Sequence, residues 1–494
     1  MNIADFLHRA DPNSTAVHAG EASWEYGRLL DESGRLAAAL LRSGLTVGDR
    51  VGILLPNTPA HILAYLAVTS AGGVVVSLNP TLSGAEVRDA FGLTEPRLVV
   101  TEPELVPAVR AATSAEVVTD RPTEGARSIP ELLAENPRAA AVVPVGADHP
   151  ASILFTSGST GRPKGVVLTH GNAVWAAEAK ASRMRPVPGD RVALISPLHH
   201  AYGQNAVLNA ALSGGAAVVL LDPRRRRKLV ADLAAAGVSV LPTVPALLRV
   251  LLDLGASRET LPALRYTLSA AAPLSRPIAE LWADRFGAPP HVGYGLTECS
   301  PCALYQDGPT VAAGSVGRPF PGVDTRVVGA DGADVPDGEI GELWLRGPNV
   351  MAGYFADPAA SAEVLVGGWL RTGDQVRRDA SGEHWLAGRS KHIIIVSGVN
   401  VFPGEVEAVL AEHPAVRAAA VVGRPHPVVG ETVLAFVHLR EGVAAEDAVP
   451  DLRARCRDRL APVKRPALIQ ALPEIPLLAS GKPDLERLRR WGVR

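Results

Sequence analysis

The stretch Thr156-Ser157-Gly158-Ser159-Thr160-Gly161-Arg162-Pro163-Lys164-Gly165 gathers hydroxyls, glycines and a lysine into one loop. Glycines let backbone N–H groups close around phosphate oxygens, hydroxyls add donors, and a lysine supplies compensating charge. It is not a Walker loop: the lysine does not directly follow the second glycine, and Val166-Val167-Leu168-Thr169 favours a strand over a helix. A Ser/Gly turn between two strands would also read this way, so the flanking sequence has to decide.

Upstream, from residue 26 to 101, helical and strand patterns alternate. Leu29, Leu36 and Leu40 share a helical face, and Val51 to Leu55 and Gly73 to Leu78 are short apolar runs. Downstream the alternation resumes with Val192 to Ile195, Ala216 to Leu221 and Val238 to Leu241, separated by helical stretches Lys228 to Ala236 and Ala246 to Leu254. Parallel sheets covered by helices are the natural packing for such a pattern. Residues 102 to 150 are Pro-, Ala- and Glu-rich with weak periodicity, and from 321 onward Gly and Asp turns punctuate short strands such as Glu342 to Arg346. After Gly388-Arg389-Ser390-Lys391 come a strand, a helix from about Pro403 to Glu412, two more strands and a helix near Leu452 to Leu460. The expected fold class is α/β: a large N-terminal domain of helix-covered sheets with a β-rich subdomain, followed by a small α+β C-terminal domain.

The chain has 494 residues, 47% hydrophobic and 20% charged, with 49 Lys plus Arg against 51 Asp plus Glu. That balance gives no general pull toward nucleic acid or anionic membranes, so an anionic ligand has to be met locally. Ile62 to Leu78 is broken by Thr69-Ser70 and Gly72-Gly73 and divides into a buried helix and a strand, not a membrane span. Met1 to Arg9 lacks the basic and apolar regions of a signal peptide, and a cytoplasmic location is expected. Cys299, Cys302 and Cys456 suit reduced thiols better than a disulfide framework, and Cys299-x-x-Cys302 without a second ligand pair is weak as a metal site. The basic run Arg224 to Lys228 reads first as a solvated surface and second as a phosphate or carrier-protein docking patch.

Four further segments follow the loop in order: Gly293-Tyr294-Gly295-Leu296-Thr297-Glu298, Arg371-Thr372-Gly373-Asp374, Gly388-Arg389-Ser390-Lys391 and Pro476-Leu477-Leu478-Ala479-Ser480-Gly481-Lys482. With Phe155 to Gly165, this set resembles the signature of the acyl-adenylate-forming superfamily of acyl-CoA synthetases, nonribosomal adenylation domains and beetle luciferases. The resemblance spans nearly the whole chain. It implies an adenylate-forming domain over residues 1–390 and a mobile C-terminal domain over 391–494. The implied reaction is attack of a substrate carboxylate on the α-phosphate of ATP, release of pyrophosphate, and cleavage of the acyl-adenylate by a thiol.

Repulsion between two anions is the first obstacle, so a cation near both is required. The resemblance gives that part to Lys482, which could otherwise be a plain solvated lysine. It makes Thr156, Ser157, Gly158, Ser159, Thr160 and Lys164 phosphate contacts, and Ala270, Ala271, Ala272, Tyr294 and Gly295 the adenine pocket. Alanines stand at 270–272 where relatives often carry glycine. Thr297 and Glu298 fall to the phosphate and Mg²⁺ region, Glu298 being a hard oxygen ligand of the kind Mg²⁺ takes. Asp374 would accept both ribose hydroxyls, and Arg389 would donate nearby.

His199 and His200, in Pro197-Leu198-His199-His200-Ala201-Tyr202-Gly203, resemble the gate between carboxylate and ATP, with His199 where an aromatic is usual. Lys391 corresponds to the hinge, followed by His392 in place of the common Asp, and Ser397, Gly398 and Asn400 to the thiol channel. The acyl pocket falls to His199, Gln204, Ala271, Gly293, Gly295 and Cys299. These small and largely uncharged residues favour a hydrophobic acid, a medium- or long-chain fatty acid before an aromatic one.

No acidic residue between Ser196 and Leu221 is available to pair an amino-acid ammonium, which speaks against amino acids as substrates. With no carrier domain after Arg494, the thiol is expected to be CoA, or alternatively the phosphopantetheine of a separate acyl carrier protein. A reading from another class, an inactive nucleotide-binding protein, would be favoured by loss of Lys482 or Glu298; both are present.

Overall fold

The computed structural model describes residues 2–156, 164–222, 224–306, 314–389, 394–396, 399–426, 430–460, 462–478 and 482–491. Two large sheets and a smaller C-terminal one organise them. In the first sheet, the β-branched run Val74–Ser77 is buried at every position, as an interior parallel strand must be when helices cover both faces. It pairs in parallel with Arg50–Leu54 on one side and Pro150–Thr156 on the other. Pro150–Thr156 pairs antiparallel with Lys164–Thr169, in register Thr156↔Lys164, so the two ends of the phosphate-loop signature face each other near the sheet margin.

The second sheet begins with parallel strands, among them Arg191–Leu194, Ala217–Leu220, Val240–Thr243, Tyr266–Ser269 and His291–Tyr294. It continues antiparallel through Leu304–Gln306 and Ser315–Pro319 into the β-rich part that contains Ile340–Arg346, Trp369–Arg378 and His384–Arg389. One main hydrophobic core joins the helices between the two sheets, including Pro59–Ser70, which is buried from His61 to Ser70. Among the described residues no helix is long and apolar enough to cross a membrane.

The weakly periodic segment from 102 to 150 is more ordered than its sequence suggests. It adds strands Glu116–Thr119 and Arg127–Ser128 to the first sheet, with two seven-residue helices, Val106–Ala112 and Ile129–Glu135, over it. Elements this short hold too few periods to register as a pattern, and their ends are set by Pro at the first helical turn and by the Ser128 capping box.

Helix His170–Met184 follows strand Lys164–Thr169. Thr169 caps it through a box with Asn172, whose side-chain amide also donates to the Pro348 and Val350 carbonyls at 2.8 and 2.9 Å. That fixes the helix against the β-rich part. The C-terminal sheet is built on the long hairpin Val416–His426 with Gly430–Leu439, packed by helices Pro403–Ala411 and Ala445–Arg459.

Candidate active site

The carboxyl ends of the parallel strands converge where the two sheets meet, the usual place for ligands in open α/β sheets. Strand His291–Tyr294 ends on Tyr294, whose hydroxyl donates to Asp374 Oδ2 at 2.6 Å across eighty residues of sequence. Both side chains are buried, and burial together with the Asp374 charge holds the Tyr294 phenol well above its usual range. The carboxylate is aimed by its own loop. Thr372 Oγ1 donates to the Leu343 carbonyl at 2.7 Å and accepts from the Asp374 N–H at 3.0 Å. Gly373, at φ +71°, takes a left-handed turn that a side chain would strain.

Neighbouring strand ends contribute orphaned polar atoms. Thr243 Oγ1 and Ser269 Oγ are buried and without a hydrogen-bond partner among the described residues, an arrangement that is costly unless a ligand or water serves them. Ala270 is buried, and Ala271 sits at φ +67°, a conformation glycine adopts freely and alanine resists. The alanine substitution noted in the sequence is therefore a strained one, and strain of this kind concentrates at functional sites.

Glu298 lies in the short turn Thr297–Cys299. Its Oε1 accepts from the Tyr354 hydroxyl at 2.9 Å, and the Tyr354 ring lies 4.8 Å from Lys164 Nζ. Tyr354 thus links the phosphate-loop lysine to the carboxylate, and its strand Gly353–Tyr354 pairs with Val166 and Val167 beside the loop. Sequence reading missed it, since nothing local marks a contact spanning fifty-six positions.

The gate segment is tied to the first sheet by Asn57, which accepts from the Leu198 N–H at 2.8 Å and donates to the Ser196 carbonyl at 2.9 Å. His199 and His200 lie with ring centroids 4.5 Å apart. Burial, with the neighbouring His200 and His61, drives the His199 pKa down to about 2. Burial and the Lys482 ammonium lower that of His200. Both rings are accordingly neutral near pH 7. Lys482 is exposed at the turn closed by the Leu478 N–H to Lys482 carbonyl bond of 2.8 Å, and its charge reaches His200 from the C-terminal part of the chain.

Immediately after the gate, Tyr202–Asn209 is a π-helix, a wide turn favoured at functional sites. Its Gln204 is buried and donates to Ser152 Oγ at 3.1 Å, which ties the helix to the first sheet. Cys299 and Cys302 are fully buried. Burial raises the Cys299 thiol far above its usual range and pushes the Cys302 thiol up to about 11. Cys299 Sγ accepts from the Leu296 N–H.

Ser157, Gly158, Ser159, Thr160, Lys391, Ser397 and Gly398 lie outside the described residues, as do the side chains of Arg389 and Asn400. Of the remaining expected residues, the structure brings Tyr294 to Asp374, Glu298 toward Lys164, and Lys482 toward His200, all around the convergence of the two sheets. In the basic run Arg224, Arg225, Arg227 and Lys228 are exposed, with Arg224 paired to Asp222 and Arg225 to Asp232.

A buried carboxylate held by Tyr294, a lysine and a glutamate linked through Tyr354, and a second lysine from the C-terminal part make an arrangement suited to a nucleotide-dependent group-transfer enzyme. Comparison with known proteins narrows this. Residues 7–355 match the AMP-binding enzyme family and residues 405–482 the AMP-binding enzyme C-terminal domain, and the chain belongs to that family. It is 35% identical to a sulfoacetate–CoA ligase of Cupriavidus necator, over 94% of this chain and 91% of the relative. It is 34% identical to a feruloyl-CoA synthase of Amycolatopsis, over 98% and 96%. A benzoate CoA ligase from Burkholderia xenovorans superposes with a TM-score of 0.91 at 31% identity, covering 99% of this chain and all of the other. The enzyme is an AMP-forming acid–thiol ligase that uses ATP.

Proposed function

We propose that the enzyme adenylates a carboxylic acid with a hydrophobic body at this site and hands the acyl group to the thiol of CoA. In the first step a carboxylate oxygen forms a bond to the α-phosphorus while the bond to the pyrophosphate oxygen breaks, and pyrophosphate leaves with the electron pair. In the second, the thiol sulfur attacks the acyl carbon, its proton passes to solvent or a base, and AMP departs. Phosphoryl-type displacement is catalysed chiefly by positioning and charge neutralisation. The observation that carries the reading is the reach of the Lys482 charge to His200, which supports a cation poised over the junction of carboxylate and ATP.

In this reading the neutral His199–His200 pair walls off the carboxylate without competing for a proton. Asp374, held by Tyr294, receives the ribose hydroxyls, and Lys164 with residues 156–160 receives the phosphates. Glu298 suits Mg²⁺: one oxygen is fixed by Tyr354, and no bond to the other is found among the described residues, which leaves the single hard ligand that Mg²⁺ uses beside phosphate oxygens. When bound, the ion would offset phosphate charge. Arg389 and the hinge at Lys391, between bodies 1–390 and 391–494, would reorient the C-terminal domain for the thiol step. Ser397, Gly398 and Asn400 would line the thiol's path.

Small residues at Ala271, Gly293, Gly295 and Cys299 support an apolar acyl body, of which a fatty acid is one form. A carrier-protein phosphopantetheine is the alternative acceptor. Sparse, buried, unpaired cysteines suit a cytoplasmic setting. The test is acid-dependent pyrophosphate release followed by thioester formation. The reading requires pyrophosphate release that depends on the acid and a thioester that appears with CoA. Failure of every acid to release pyrophosphate would refute it.

A further inference from the structure

We propose that Lys180 is a specificity-determining residue at the floor of the acyl pocket, where it pairs with an anionic group, a carboxylate or sulfonate, at the far end of the acid being activated. This rests on the reading of the site as an acid-adenylating pocket.

Lys180 occupies the wrong position for an ordinary lysine. Helix His170–Met184 buries Ala173, Ala176, Ala177 and Met184 on one stripe, and Lys180 falls on that same stripe at 1% exposure. A side chain so buried does not carry its ammonium out to water, as surface lysines on apolar faces do. Neither a carboxylate nor a hydrogen-bond acceptor among the described residues engages its Nζ. The ammonium lies over the Tyr305 and Phe320 rings instead, 5.5 and 5.2 Å from their centroids. Two aromatic faces offset part of the desolvation cost, but a buried cation still calls for an anion.

Its surroundings say where that anion would come from. A Cβ added at Gly293 would meet Lys180 Nζ at 2.9 Å, with Leu268 Cδ1 at 3.5 Å and Ala270 Cβ at 3.8 Å. Glycine at 293 therefore gives the ammonium room to lie against the strand whose next residue, Tyr294, holds Asp374, beside Ala270 and Gly293 of the expected acyl pocket. Tyr202, from the gate segment, donates to the Thr243 carbonyl, and Cys302, whose thiol donates to the Ala176 carbonyl on the Lys180 helix, stands between that segment and the lysine. Gate segment, strand end and Lys180 helix thus border one region, with Lys482 and His200 at one side and Lys180 at the other. An acid bound with its reacting carboxylate at the first end would present its other terminus to the second. A methyl terminus would leave the ammonium unpaired; a carboxylate or sulfonate would form charge-assisted bonds with it.

Acid-dependent pyrophosphate release by the full chain tests this, using acids matched in length that end in methyl, carboxylate or sulfonate. The wild type should favour an anionic terminus by about 100-fold in kcat/KM. The ratio between carboxylate and sulfonate arms identifies the preferred anion. In Lys180→Met the preference should collapse toward unity, through the KM of the acid more than that of ATP, and Lys180→Arg should restore part of it. A wild-type preference for methyl-terminated acids would overturn the inference without any variant. So would a Lys180→Met enzyme that loses activity equally on all arms, which is what a purely structural lysine gives. Release with none of the acids would instead overturn the reading of the site, and this inference with it.

Discussion

Replacing Tyr354 by Phe removes the hydroxyl that bonds Glu298 in the proposed phosphate site. The hydroxyl donates to Glu298 Oε1 at 2.9 Å, while the ring stands 4.8 Å from Lys164 Nζ, and phenylalanine keeps the ring. The backbone anchors stay as well, because Tyr354 is held by its strand pairing to Val166 and by its N–H donating to Ser361 Oγ at 2.8 Å. What is lost is a bond to a carboxylate. Such bonds contribute about 1.5–3 kcal/mol, and the partial exposure of Glu298 lowers this to about 1–2 kcal/mol. If Glu298 must be held for catalysis, kcat/KM for ATP should fall about 5- to 30-fold, and half-saturation by Mg²⁺ should shift upward. Pyrophosphate release titrated separately against ATP and Mg²⁺ provides the assay, with thermal unfolding as the control for the fold. Kinetics within twofold of wild type on both axes would refute the idea that Tyr354 positions Glu298.

Three other outcomes follow from the same geometry. Ala271→Gly relieves a left-handed alanine at about 1–2 kcal/mol but adds about 0.4–1 kcal/mol of unfolded-state entropy, so a net gain of about 0.5–1 kcal/mol is expected in denaturant unfolding; a loss would show that φ +67° is not strained. His61 and His170 are buried with pKa values near 4, and His199 and His200 are also lowered. The unfolded chain therefore takes up protons first, and stability should decline as pH falls from about 6.5 toward 4, by up to about 3 kcal/mol for His61 alone; an unfolding midpoint constant over that window would contradict this. Glu407 has the opposite sign. Burial raises its pKa to about 7, so the native state holds the proton, and its contribution is lost as pH rises from about 4.5 through 7; Glu407→Gln should remove that loss, read as slower amide exchange in Val416–His426 at pH 8, and unchanged exchange would count against it.

Much of the fold was legible because burial on both faces forces continuous β-branched runs. Val74–Ser77 and Ala217–Leu220 announce interior parallel strands. The segment 102–150 was opaque because its strands, Glu116–Thr119 and Arg127–Ser128, are short and open on charged residues, so no apolar run stands out. The π-helix left no trace in sequence, since its i→i+5 bonding depends on packing. In the site, chemistry concentrated in one segment was readable: Glu298, Asp374 and Lys482 each sit in a compact motif. Partners brought together by the fold were not, Tyr354 with Glu298 foremost. Lys180 is an intermediate case: an alanine-rich helix with one lysine reads as a solvated face until Ala173, Ala176, Ala177 and Met184 are seen to be buried with it.

The central claim is that Lys482 supplies the cation for joining carboxylate to ATP, and half-reaction kinetics on Lys482→Ala measure it most directly. Acid-dependent ATP–pyrophosphate exchange should fall by at least about 100-fold, while conversion of a synthetic acyl-adenylate to thioester by added CoA stays near the wild-type rate and the unfolding profile is unaltered. Exchange persisting at the wild-type rate in Lys482→Ala would contradict the account.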